Sequence, residues 1–486
     1  MFVGRETELQ ELTDKLTDGE FEAILLYGKR RTGKTELIRR AAEHFDGMFL
    51  YYECKRSLFS DNLDGLNELL KRMFGEDCSF QSFREMMQFV LEQSGRTSIL
   101  FVLDELPFLI TGNNVVISDI RELIDEYRRK TACKIVFTGS DTDIMKSLIE
   151  ENSDTQNNFT GIIELKPFDY YDAAKFYPDY RDEDKILMYS VFGGVAYYNS
   201  LIDPSLTPME NIKMLLLMPN SILQLEIEHT ISSETNKTSM LNSLIEIICS
   251  GSTKYSDITG KLTAKNHSPV NIDYLLKKLV DMGIIEKRAP INDSGNRKKH
   301  SYCFSDNLMH FYYRYIFRNI NSFIETEDYY NEFIKEDLEA RYLPLKFEEI
   351  SREFLIRAGR KRIITPITNE VGIYSYDDRK KGVHREFHAV SRDSNGYTSY
   401  KCIYSDKPVS LPDIREEESQ IQDCGIDFYR LGCISRSGFV PEISKDKYSL
   451  ISLPEFYSAK LADTNSEAEN RYDCFQDQYT LAGFFE

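Results

Sequence analysis

Short apolar runs alternate with helix-spaced apolar positions over the first 165 residues. Ala23–Tyr27, Met48–Tyr52, Ile99–Leu103, Lys134–Thr138 and Ile162–Leu165 are each long enough for a buried strand. Near-continuous apolar strands separated by amphipathic helices predict a parallel sheet covered on both faces. Ligands of such sheets gather beyond the C-terminal strand ends. Three of these runs end at glycine or polar residues, which marks that edge as the place to look for chemistry.

The pattern then changes. Residues 170–235 read as helices with aromatic positions at Tyr170, Tyr171, Phe176 and Tyr177 and a Gly193-Gly194 break, which predicts a helical lid over 169–238. Leu241–Cys249, Tyr255–Leu262 and Asn271–Met282 carry three more helical patterns. They precede an apolar run at Ile284-Ile285, a polar turn at Asn292–Asn296 and a returning segment at Ser301–Ser305, so 239–306 has a winged-helix layout. Tyr and Phe at helical spacing make 307–345 a packed connector. A helix at Phe347–Ala358 and strands near Val371–Tyr376, Glu386–Ser391, Tyr400–Tyr404 and Asp427–Gly432 predict an α/β domain over 346–462. Residues 463–486 read as an acidic, polar tail.

Composition narrows the setting. With 486 residues, 41% hydrophobic and 29% charged, the chain is expected to be a soluble multidomain protein. Its longest apolar runs fall far short of the roughly 20 residues that a spanning helix needs. The N-terminus lacks the features of a signal peptide. Nine cysteines without framework spacing fit reduced thiols, so a cytoplasmic location is expected. A net charge of −19 argues against wholesale coating of nucleic acid and confines any such contact to basic segments at Lys29–Arg40, Lys287–His300 and Arg357–Arg385.

The candidate chemistry begins at Gly28–Thr35, which reads Gly-Lys-Arg-Arg-Thr-Gly-Lys-Thr and fits the phosphate-loop pattern between a strand and a helix. Backbone N–H groups of such a loop form an anion concavity, with Lys34 reaching the β- and γ-phosphates and the Thr35 hydroxyl available to Mg²⁺. Gly28, Arg31, Thr32, Gly33, Lys34, Thr35 and Glu36 are the expected nucleotide-binding positions. Ile99–Leu103 runs into Asp104-Glu105, as a magnesium-holding strand end should: Asp104 would join Thr35 at the metal and Glu105 would activate water. Lys134–Ser140 ends a further strand with Thr138 and Ser140 as candidate γ-phosphate sensors, although a plain helix cap at Ser140 or Asp141 explains that turn equally.

Phe2-Val3-Gly4-Arg5-Glu6, the phosphate loop, Asp104-Glu105-x-Pro107, Thr138-Gly139-Ser140 and Leu165-Lys166-Pro167-Phe168 together resemble the archaeal-type P-loop ATPases, close to the STAND branch of AAA-like ATPases. The resemblance implies an α/β fold: a P-loop NTPase parallel sheet over 1–168 with a helical lid, a winged-helix domain and a C-terminal restriction-endonuclease-like domain. It implies ATP, with Val3, Gly4 and Arg5 near the adenine. One departure bears on catalysis. Relatives often carry arginines before the Pro-Phe run, but Thr155–Thr160 has none. An arginine aimed at the transferring phosphoryl group contributes roughly 10³–10⁵ in rate, so slow hydrolysis is expected.

The nuclease-like domain reads as degenerate. Glu348 or Glu349 is the early acid, but the later positions fall on Glu386-Phe387-His388 and Lys401-Cys402-Ile403, which lack the expected metal acid and lysine. Packing or recognition of a protein partner through this domain is therefore expected rather than cleavage. In the winged helix, Lys277, Lys278 and Arg297–His300 are candidate phosphate contacts, with packing as the plainer explanation. The expected activity is Mg²⁺-dependent ATP binding with slow hydrolysis by Lys34, Glu105 and Ser140. A non-hydrolysing switch and a DNA-binding regulator are the alternatives, and oligomeric state is left open.

Overall fold

The computed structural model describes residues 2–75, 78–113, 115–150, 158–234, 238–265, 271–319, 328–364, 368–378 and 382–462. The tail at 463–486 and the arginine-free positions Thr155, Gln156 and Asn157 lie outside the described residues. Residues up to Pro167 form one compact unit and Phe168–Ala462 a second.

In the first unit, β1 (Glu22–Tyr27), β2 (Met48–Glu53), β3 (Ile99–Asp104), β4 (Lys134–Gly139) and β5 (Gly161–Glu164) form a parallel sheet in the order β2-β3-β4-β1-β5. Every residue of β1, β3 and β4 is buried. Alternation along β1 sorts its side chains between two cores. Ile24 and Leu26 join Leu12, Leu16, Leu37 and Ile38 from the helices Glu6–Thr17 and Lys34–Ala42. Ala23, Leu25 and Tyr27 face the opposite layer, with Leu66, Leu70, Met86 and Val90 from Phe59–Phe74 and Phe83–Gln93. This strand order puts β4 between β1 and β3, so Ser140 follows a strand flanked by the one that feeds the phosphate loop and the one that ends at Asp104.

In the second unit, the stretches expected as lid, winged helix and connector share one hydrophobic core that contains Phe192, Leu216, Leu244, Leu276, Phe311 and Tyr342. The helices Thr238–Cys249, Tyr255–Lys265 and Ile272–Asp281 are followed by an antiparallel pair, β6 (Ile285–Arg288) and β7 (Ser301–Phe304). The turn between these strands rests on β8 (Glu370–Asp378): Ile291 N–H donates to Ile373 O at 2.8 Å, and the Asn292 amide exchanges two bonds with the Ser375 backbone.

β9 (Val383–Asp393), β10 (Gly396–Ile403), β11 (Arg430–Ser435) and β12 (Tyr448–Ser452) complete a mixed sheet in the order β12-β11-β10-β9-β8. β8, β9 and β10 run antiparallel, whereas β10, β11 and β12 run parallel. The helix Leu343–Arg360 packs Phe347, Ile350, Phe354 and Leu355 into the core of this sheet. The structure corrects the expected elements at three places. The fourth expected strand begins at Arg430, three residues later than Asp427. In addition, β12 and the helix Leu411–Cys424 were not expected at all.

Candidate functional site

β1 delivers the chain to Gly28, whose φ is 154°. A Cβ there would lie 2.2 Å from the Leu165 carbonyl oxygen, so only glycine fits. The loop then turns through left-handed conformations at Arg31 and Gly33 before the helix Lys34–Ala42 starts. Thr32 is buried and its hydroxyl donates to Lys29 O at 2.9 Å, which braces the turn from within.

Lys34 is also buried. Its ammonium donates to Gly28 O at 2.9 Å and Lys29 O at 3.2 Å. Burial lowers its proton affinity, the Glu105 and Asp104 carboxylates oppose that shift, and the Arg30 charge adds to it. The ammonium is thus held by loop carbonyls, in a place a phosphate oxygen can compete for.

Thr35 and Asp104 come together. The Thr35 hydroxyl donates to Asp104 Oδ2 at 2.9 Å, and the Tyr51 hydroxyl donates to the same oxygen at 2.6 Å. Asp104 Oδ1 accepts the Glu105 amide at 2.9 Å. Burial, followed by the Asp104 contact, drives the Tyr51 phenol well above its ordinary range, so it stays a donor at all working pH values. A hydroxyl and a carboxylate are hard oxygen donors of the kind Mg²⁺ takes, and the pair fits that ion. Tyr51 was missed from sequence. It is one of two adjacent tyrosines in an ordinary strand pattern, and only pairing with β3 brings it to Asp104.

Glu105 adopts φ 52°, uncommon for a residue with a side chain. Its Oε2 accepts the Ser140 hydroxyl at 2.7 Å and the Ser140 amide at 3.1 Å. Arg30 Nε in turn donates to Ser140 Oγ at 3.4 Å. Of the two sensor candidates, Ser140 stands at this site. Thr138 is fully buried and its hydroxyl has no hydrogen-bond partner among the described residues.

Arg5, with φ 67°, reaches Lys166 O at 2.5 Å and Thr32 O at 3.4 Å, tying the Phe2–Arg5 segment to the phosphate loop. Val3 and Gly4 precede it, Gly4 with φ 66°. Glu36 turns its carboxylate to Arg39 and Arg40 on the outer face of its helix. Of the arginine-free segment, Asn158 bonds to Arg121 O and Asp125, and Thr160 bonds to Glu22 and the Ala23 amide.

The C-terminal candidates separate. Glu349 is paired with Lys346 at 2.8 Å, whereas Glu348 lines a cavity of about 280 Å³ with Glu386, His388, Lys401 and Glu417. His388 Nδ1 lies 3.6 Å from Glu348, and Lys401 donates to Asp413 O and Glu416. Lys401, at the position where the nuclease pattern has an acid, lines the cavity, as does Glu417 from the helix that sequence patterning missed. No cluster of three or more His, Cys, Asp or Glu side chains among the described residues is arranged to hold a metal ion. In the expected wing, Lys299 is engaged by Asp293 at 3.1 Å and Asp377 at 3.2 Å.

Residues 2–200 match a family described as an ATPase domain predominantly from Archaea, and residues 312–399 match one described as archaeal and bacterial proteins of unknown function. The chain is 28% identical over 362 residues to an uncharacterized protein of Methanocaldococcus jannaschii, spanning 74% of this chain and 78% of that one. An uncharacterized ATP-binding protein of the same organism is 46% identical over 44 residues, 9% of this chain and 75% of the other. A Walker-type ATPase of Pyrococcus abyssi is similar in structure with a TM-score of 0.45 at 17% identity, covering 64% of this chain and 96% of that one.

Proposed function

We propose that the chain, whose residues 2–200 match a family described as an ATPase domain predominantly from Archaea, binds Mg²⁺-ATP and hydrolyses it slowly. The observation that carries this reading is the Thr35–Asp104 hydrogen bond beside a Glu105 held at Ser140. Lys34 and the loop amides would take the phosphates, and Thr35 and Asp104 would hold Mg²⁺, which supplies Lewis-acid charge at the phosphate oxygens. Glu105 is the group to orient and deprotonate the attacking water. Val3, Gly4 and Arg5 would border the base. Turnover is expected to be slow because Thr155–Thr160 contributes no arginine.

The output is the nucleotide state itself, passed to a winged-helix module at 239–306 and a catalytically degenerate nuclease-like domain at 346–462 that meets a protein partner. The scattered cysteines and the lack of any membrane-length apolar helix among the described residues accord with a cytoplasmic setting. Multiple-turnover phosphate release tests the reading: wild type should release phosphate with Mg²⁺, and a Glu105→Gln chain should not. Equal rates for the two would leave a non-hydrolysing ATP switch, which the engaged state of Glu105 favours as the second reading. DNA recognition through the wing is the weaker alternative, since Lys299 is already ion-paired.

A further inference from the structure

Three of the four variable positions of the phosphate loop are cationic: Lys29, Arg30 and Arg31. Lys34 is the loop cation expected at the phosphates, and Arg30 stands apart from it by its contact with a second strand end. Arg30 is exposed, yet its Nε meets Ser140 Oγ at 3.4 Å across the strand order, linking the loop after β1 to the end of β4. A guanidinium beside a hydroxyl is a donor pair that one anionic oxygen can bridge.

Ser140 sharpens the argument. Its hydroxyl has a single proton, and in this structure that proton is donated to Glu105. An anionic oxygen arriving between Arg30 and Ser140 offers the hydroxyl a second, charged acceptor. Ser140 cannot serve both. A terminal phosphate that engages Arg30 and Ser140 therefore draws the hydroxyl from Glu105, leaving the carboxylate with the Ser140 amide alone.

Resting on the ATP-binding reading above, we propose that Arg30 is the specificity-determining residue for the γ-phosphate. It supplies from the loop itself the cation that Thr155–Thr160 lacks, and through Ser140 it couples arrival of a triphosphate to the loosening of Glu105. Arg30 is a binding and positioning residue in this role, and Lys34 remains the cation common to di- and triphosphates.

Affinities of the full chain for ADP and for a non-hydrolysable ATP analogue, measured by calorimetry with Mg²⁺, test the proposal without reliance on turnover. Wild type should prefer the triphosphate. Arg30→Ala should lose about tenfold in triphosphate affinity, as expected for a charged hydrogen bond in a partly exposed setting, while ADP affinity stays within about twofold. Arg30→Lys, which keeps the charge without the planar fork, should fall between. An unchanged triphosphate-to-diphosphate ratio in Arg30→Ala, or an equal fall for both nucleotides, overturns the assignment while leaving ATP binding intact. Wild type that bound neither nucleotide would overturn the ATP-binding reading, and the Arg30 role with it.

Discussion

The Ser140 hydroxyl donates to the Glu105 carboxylate at 2.7 Å while the Ser140 amide reaches the same oxygen at 3.1 Å. A general base must offer a lone pair to water. Here Ser140, at the neighbouring strand end, takes one of the two carboxylate oxygens, Oε2, and the backbone at Glu105 sits in an uncommon conformation with φ 52°. The base is present but engaged.

Glu105→Gln keeps an oxygen that can accept both Ser140 bonds, so the loop and its nucleotide affinity should be preserved. Proton abstraction should be lost. Phosphate release is expected to fall about 10²–10⁴-fold, the usual contribution of general base catalysis, with ATP affinity unchanged within about twofold. A variant that lost binding in parallel with turnover would make Glu105 a structural residue of the loop.

Tyr51 and Thr35 share Asp104 Oδ2, at 2.6 and 2.9 Å. Asp104→Asn removes the negative charge that a divalent cation needs at this point, and nucleotide affinity with Mg²⁺ should drop to the value measured in chelator. Tyr51→Phe removes only an orienting hydroxyl, a change of about 1 kcal/mol, or roughly fivefold in Mg²⁺ concentration dependence. Magnesium titrations of nucleotide binding on the two variants would separate charge from orientation, and a Tyr51→Phe effect as large as that of Asp104→Asn would contradict this division.

The phosphate loop, the Asp104-Glu105 strand end and all five strands of the parallel sheet were legible because each depends on local pattern: buried runs, a glycine spacing, carboxylates at a strand end. What escaped depends on residues distant in sequence. Tyr51 gains its role only from the β2–β3 register. The helix Leu411–Cys424 buries just Ile414, Ile421 and Cys424 among polar residues, too few for an apolar face to show. In the expected wing, Lys299 pairs with Asp293 and Asp377, and Asp377 is a partner distant in sequence that the basic run alone does not reveal.

Asn292 gives that docking a measurable consequence. Its side chain accepts the Ser375 amide at 3.0 Å and donates to Ser375 O at 2.9 Å, standing in for a strand partner at the edge of β8. Asn292→Ala leaves two backbone groups without these partners and should destabilise the second unit by about 1–2 kcal/mol. Chemical denaturation should show a lower midpoint. If instead stability were unchanged and DNA affinity at low salt fell, the turn would be a nucleic-acid contact after all.

The helix Leu343–Arg360 carries a buried acid whose titration should be visible in stability. Glu353 accepts the Tyr189 hydroxyl and the Tyr170 amide, each at 3.1 Å. Burial raises its carboxyl from 4.5 to about 8, with nearby Asp169 adding to the shift, while Arg357 is engaged by Asp169 and Asp172. The folded chain therefore holds a proton that the unfolded chain releases between those two values. Because the native state binds more protons there, stability falls as pH rises through that window and levels off above it. Glu353→Gln keeps the neutral shape and should remove this part of the slope. The melting-temperature difference between variant and wild type should be small at pH 5 and grow in favour of the variant up to about pH 8. Parallel curves across that range would mean that Glu353 is ionised in the fold and that the Tyr189 and Tyr170 donors stabilise a carboxylate.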